Sequence, residues 1–192
     1  MAGATKRCAA TYGLAMTHDA IVIGAGSAGP RITHVAGHEG SLVVLRIALG
    51  LPAKVDLRAL PRAIYADPEL AQIGLTEIEA RAQIGKIEVT REDFADNDRA
   101  ATESEPRGFV KQVRRGGKVL GVAIVRARAG ELLLPWSHVI NGKAPSFALG
   151  SAVIAYPTRS EIAKAAAFAA REPRVFGVWP KRWVWLLARL LR

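Results

Sequence analysis

Cysteine is almost missing from these 192 residues, and Cys8 stands alone. An internal disulfide is therefore excluded, which suits a reducing compartment, so a cytoplasmic location is expected. Acidic side chains are also scarce. They number 17 against 27 lysines and arginines, leaving a formal charge of +10 and an isoelectric point near 10.4. Such an excess suits an anionic partner, either nucleic acid or a membrane surface. No helix-turn-helix, zinc-finger or RNA-recognition pattern accompanies the charge, so no nucleic-acid partner is expected. A signal peptide is not evident either. Residues 1–17 place Lys6 and Arg7 before a short apolar stretch broken by Thr11 and Tyr12, with no cleavage site after it. They read as an unstructured leader, from a start codon upstream of the natural one.

What is present is a globular composition, 50% hydrophobic with a mean hydropathy of +0.14. That is enough for one good core. The clearest fold signal is residues 61–76, PRAIYADPELAQIGLT. Ala63, Ile64 and Tyr65 favour a strand, and Asp67-Pro68 interrupts it, because proline has no ladder donor and restrains its predecessor. Leu70, Gln72 and Gly74 then alternate with Ala71, Ile73 and Leu75, which predicts a second strand. Thr76 and Glu79 have the capping-box spacing and open a helix.

Residues 19–29, DAIVIGAGSAG, carry a second signal. An apolar strand runs into Gly24-x-Gly26-x-x-Gly29. In a dinucleotide site the first glycine allows the tight turn, the second admits a pyrophosphate and the third lets the next helix pack. A complete site also needs a second strand ending in an acid. Residues 42–45, LVVL, imitate that strand, but Arg46 occupies the acidic position. His34 and His38 lie one helical turn apart, yet no third ligand is near in sequence and no metal is expected.

ADPELAQIGLTEIEA, GFVKQVRRGGKVLGVAIV, AGELLLPWSHVI and YPTRSEIAKAAA follow one another in order. Together they resemble the C-terminal dimerisation domain of the FAD-dependent pyridine nucleotide-disulfide oxidoreductases, the family of glutathione reductase, dihydrolipoamide dehydrogenase and mercuric reductase. The likeness covers residues 52–171. It implies an α+β fold, an antiparallel sheet with helices on one face, that forms a homodimer through these residues. Residues 18–51 resemble pieces of the family's FAD domain: its fingerprint turn, then a jump near residues 30–33 to its last helix. By resemblance Gly24, Gly26 and Gly29 face the FAD pyrophosphate, and a glycine turn with no ligand is the other reading. The family's NAD(P)H domain and its Cys-x4-Cys helix have no counterpart in the chain, and Cys8 precedes the fingerprint. An internally truncated protein, inactive alone, is therefore expected, with an FAD- and NAD(P)H-using oxidoreductase as the alternative.

The family signature His-Pro-Thr-x-x-Glu corresponds to Tyr156-Pro157-Thr158-Arg159-Ser160-Glu161. The resemblance places Tyr156 and Glu161 at the catalytic positions. A tyrosine, with a reference pKa of about 10, is a poor proton shuttle where histidine at about 6.5 is poised. Tyr156 then reads as a substrate contact. Glu161 has a structural explanation, since Thr158-x-x-Glu161 is a second capping-box spacing.

The remaining elements follow from local pattern. Residues 86–89 read as a strand and residues 95–107 as a polar loop or edge. Residues 108–114 and 119–126 form a hairpin closed by Gly116-Gly117, with Arg107, Lys111, Arg114, Arg115 and Lys118 on a solvated basic face. Residues 131–140 make a helix with Leu133, Trp136, Val139 and Ile140 on one side. Arg126 stands where the family usually has glycine, and Pro135 kinks this helix or delays its start. Residues 172–192 end in a basic amphipathic helix, with Lys181, Arg182, Arg189 and Arg192 opposite Trp183, Leu186, Leu187, Leu190 and Leu191. About a dozen residues cannot span a bilayer. Contact of residues 180–192 with a membrane surface and docking onto protein are the two readings.

The purified chain is expected to carry no stoichiometric flavin and to oxidise no NAD(P)H above the buffer blank. A yellow protein whose turnover is lost when Gly26 is made bulky establishes the oxidoreductase alternative.

Overall fold

The computed structural model describes residues 32–52 and 56–190. The chain divides into two units, Met1–Leu57 and Arg58–Arg192. In the first, the described element is helix α1 (Thr33–Leu49), which ends as Gly50 turns left-handed at φ +61° and its N–H reaches the Leu45 carbonyl. Residues 42–45 lie inside this helix, so they do not form the second strand of a dinucleotide fold. The expected leader and the turn of Gly24, Gly26 and Gly29 lie outside the described residues.

The second unit is built on five strands: β1 (Pro61–Ile64), β2 (Leu70–Gly74), β3 (Glu88–Asp93), β4 (Phe109–Arg115) and β5 (Lys118–Val125). They pair in the order β1-β2-β5-β4-β3, every pair antiparallel. Side chains alternate across a strand. Ala71 and Ile73 of β2, Val110 of β4, and Val122 and Ile124 of β5 therefore point the same way, and all are fully buried. The Gly116-Gly117 turn has positive φ at both residues, +56° and +87°, which gives the hairpin the twist its strands require.

After β2, Thr76 caps helix α2 (Glu77–Ile84) as expected. Its backbone N–H donates to Glu79 Oε2 at 2.8 Å, and the Glu79 N–H donates to Thr76 Oγ1 at 3.2 Å. At this seam β5 and the chain leaving β2 nearly touch. A Cβ on Gly121 would sit 1.9 Å from the Leu75 carbonyl oxygen, so only glycine admits the approach.

The polar stretch 95–107 is not a plain loop. A 3-10 turn at Phe94–Asp96 leads into helix α3 (Asp98–Thr102). Asn97 makes this possible, because its Oδ1 accepts the Ala100 N–H at 3.0 Å. β3 also begins two residues later than expected and continues to Asp93.

Helix α4 (Leu134–Ile140) follows a 3-10 turn at Ala129–Leu133, with Pro135 in its first turn. The proline delays the helix and does not kink it, since a first-turn residue needs no helical donor. Leu133, Trp136, Val139 and Ile140 are all buried. Helix α5 (Ser146–Ser151) was not anticipated; it leads to α6 (Glu161–Ala169), α7 (Glu172–Val175) and α8 (Val178–Leu190). α4 packs on β2 and β5, and α6 on β3 and β4, so these two helices cover one sheet face. α2 meets the sheet through Glu77, 3.3 Å from Lys111 Nζ, and Lys111 projects opposite to its buried neighbours Val110 and Gln112.

Arg114 departs from the expected solvated basic face. It is buried, and its Nη1 donates to the Ala170 carbonyl at 2.7 Å, tying the hairpin to the end of α6.

Trp136→Ala is expected to destabilise this unit by about 3–5 kcal/mol in chemical denaturation. Ile78→Ala, on the exposed side of α2, is expected to stay within about 0.5 kcal/mol.

Candidate functional site

The Tyr156-Pro157-Thr158 turn enters α6 and is held by the start of α3. Asn97 acts twice here: its Oδ1 caps α3, and its Nδ2 donates to the Thr158 carbonyl at 3.1 Å. Next to it, Asp98 Oδ2 accepts the Tyr156 hydroxyl at 2.8 Å. Tyr156 is nevertheless exposed. The hydrogen bond from its phenol to Asp98, reinforced by that carboxylate's charge, raises the Tyr156 pKa above its ordinary value of 10.0. Proton exchange near neutrality thus moves further out of reach.

Glu161 begins α6, and its Oε2 accepts the Thr158 N–H at 3.1 Å. The reciprocal half of the expected capping box is absent. Thr158 Oγ1 is buried without a hydrogen-bond partner, because residues 158–160 form a tight turn and the helix starts at Glu161 itself. Behind the turn, Arg159 pairs with Glu103 and lies 2.6 Å from Glu105. Arg126 is buried against Phe94, its guanidinium 4.2 Å from the ring centroid, with Glu105 at 3.5 Å. Burial, then the charge of Arg159, lowers its pKa, and Glu105 and Glu103 oppose the shift. Arg126 therefore fills, with a stacked cation, a position where the sequence suggested only rougher packing.

On the other side of the turn an open cleft of about 360 Å³ is lined by Glu92, Asp96, Asn97, Asp98, Glu161 and Lys164, among others. Burial raises the Glu92 pKa, helped by the charges of Asp96, Asp93 and Glu172. Among the described residues no group of three His, Cys, Asp or Glu side chains is arranged to hold a metal. His34 and His38 lie on α1. Cys8 and the three glycines expected at an FAD pyrophosphate lie outside the described residues. With residues 42–45 helical, this segment does not supply the strand and acid that contact a dinucleotide ribose.

The structure thus brings Tyr156 and Glu161 into one turn but gives each a local partner. Sequence reading missed Asn97, Asp98 and Arg159. Asn97, three residues before Ala100, was a legible cap signal; its reach to Thr158, 61 residues away, was not.

The family model for the pyridine nucleotide-disulphide oxidoreductase dimerisation domain matches residues 60–167, more than half of the chain. The chain belongs to this family. Among its relatives, a dihydrolipoyl dehydrogenase of Bacillus subtilis is 34% identical over 141 residues, covering 72% of this chain and 30% of the relative. Dihydrolipoyl dehydrogenase 3 of Haloarcula marismortui is 38% identical over 149 residues, covering 76% and 31%. The chain therefore spans about a third of the length of the relatives it matches. Among solved structures, LpdA from Mycobacterium tuberculosis shares the fold with a TM-score of 0.71 at 24% identity, over 80% of this chain and 34% of that one. The HOCl-induced flavoprotein disulfide reductase RclA from Escherichia coli gives 0.70 at 20%, over 79% and 36%.

In this dimerisation domain the Tyr156 phenol is stabilised in its protonated form. Its hydrogen bond to Asp98 is complete below the ordinary tyrosine pKa and is lost as pH rises through the elevated one. Asp98→Asn is expected to lower the ionisation pH of Tyr156 toward 10, read from the shift of its labelled ring carbon by NMR. No change on substitution would remove Asp98 as the cause.

Proposed function

We propose that residues 52–171 act as the self-association module of a flavoprotein disulfide oxidoreductase-like protein, pairing two copies of this chain. The observation that carries the reading is the family match over residues 60–167. The surface supports it. Phe147 of α5, Phe168 of α6 and Phe176 are each about half exposed. They form one neighbourhood: Phe168 and Phe176 stack edge to face at 6.1 Å, and Arg171 lies 5.5 Å from the Phe147 ring. Grouped aromatic exposure of this kind favours a partner surface. A two-fold dimer covers one such patch with its own copy.

Within that module Tyr156 serves as a surface contact and Glu161 as the brace of the Thr158 turn. Neither acts as an acid–base group, because the phenol is held protonated by Asp98 and the carboxylate is engaged by a backbone N–H. The 192-residue polypeptide has one thiol, so it cannot form an internal dithiol pair. A lone thiol gives at most a mixed disulfide. Hydride relay to a disulfide is then not an activity of this polypeptide by itself. By the family resemblance, Gly24, Gly26 and Gly29 are the residues that would face an FAD pyrophosphate.

Light scattering at micromolar concentration is expected to give the mass of a dimer. Phe147→Glu combined with Phe168→Glu is expected to yield a monomer with an unchanged circular dichroism spectrum. A monomeric unsubstituted chain would overturn the proposal.

A further inference from the structure

α8 lies outside both the core and the association surface proposed above. Its apolar side chains Trp179, Trp183, Val184, Leu186 and Leu187 are 44–72% exposed, so the fold leaves them uncovered. At about 100° per residue, Trp179, Trp183, Leu186 and Leu187 gather on one side, and Lys181, Arg182 and Arg189 on the other. Trp185 falls among the cations, and the Arg189 guanidinium sits 5.3 Å from its ring centroid. No carboxylate side chain follows Glu172 in the sequence.

We infer that α8 binds the surface of an anionic membrane, lying in its plane with Trp179, Trp183, Leu186 and Leu187 among the acyl chains. Three observations select lipid as the occupant. The 13-residue helix is about 20 Å long, too short to cross a hydrocarbon core of about 30 Å, and no described helix is long and apolar enough to do so. Tryptophans bordering a cationic face suit the headgroup boundary, where the ring body is apolar and its N–H finds water or phosphate. The helix carries cations without a compensating carboxylate. Pairing two α8 helices through their apolar faces therefore brings like charges together, whereas an anionic surface neutralises them. Trp185, stacked on Arg189, rides at the headgroup level and shields that guanidinium.

The test uses the full chain with vesicles of phosphatidylcholine alone, and with roughly 30% phosphatidylglycerol to supply the anionic surface. Tryptophan emission is expected to shift to the blue, and the protein to co-sediment, only with the anionic vesicles, with the effect reversed by high salt. Lys181→Glu with Arg182→Glu is expected to reduce partitioning on the order of tenfold or more. Trp183→Ala is expected to weaken binding more than Trp185→Ala, because only Trp183 lies on the inserted side. Since α8 is outside the core, these variants should keep the parent circular dichroism and dimer mass. Equal binding to neutral vesicles, or no binding to anionic ones, would overturn the inference. So would charge-reversed variants that lose the dimer while keeping their vesicle affinity, which would assign α8 to a protein partner.

Discussion

The described fold depends on burying one face of a five-stranded antiparallel sheet beneath two short helices. Ala71, Ile73, Val110, Val122 and Ile124 supply the sheet side, and Trp136, Leu133, Ile162, Ala163 and Ala166 the helix side. Neither layer is stable alone, since α4 and α6 are too short to persist in water without a packing surface. The sheet in turn needs its apolar face covered. Alternation along each strand decides which residues enter this layer, and a one-residue slip would expose all of them.

Around this core the polar contacts act as long-range ties. Asn97 caps α3 and holds the Thr158 carbonyl; Arg114 joins the hairpin to the end of α6; Arg126 stacks on Phe94 beneath the Arg159–Glu105 pair. These contacts bring α3, α6 and the β4–β5 hairpin into one arrangement and set the Tyr-Pro-Thr turn at the surface. Buried guanidinium groups are tolerable because carbonyls, carboxylates or aromatic faces meet them. The same ties engage the Tyr156 phenol with Asp98, and the Glu161 carboxylate accepts the Thr158 N–H.

Charge is distributed unevenly. Several cations of the +10 excess are consumed internally, as Arg114, Arg126 and Arg159 show. The charged lining of the cleft beside α6 is mostly acidic, with Lys164 as its one cation. The cations of α8, by contrast, are exposed. A net charge read from composition therefore does not describe the surface that a partner meets.

Much of the fold was legible in short patterns. The Thr76–Glu79 capping box, the Gly116-Gly117 hairpin, the alternation of β2 and the buried side of α4 all follow from interactions within a few residues, which sequence spacing specifies directly. The order of four short motifs along the chain also pointed to the dimerisation-domain family. The candidate site was only partly legible: Tyr156 and Glu161 were found by their place in a motif, while Asn97 and Asp98 were passed over as loop. The short apolar run at residues 42–45 fits strand or helix by pattern, the family resemblance favoured helix, and the structure makes it helix. The burial of Arg114, the stacking of Arg126 and the hold of α3 on the Tyr-Pro-Thr turn were decided only by tertiary structure. Each depends on groups tens of residues apart in the chain, and their meeting is set by packing of the sheet and helices rather than by local spacing.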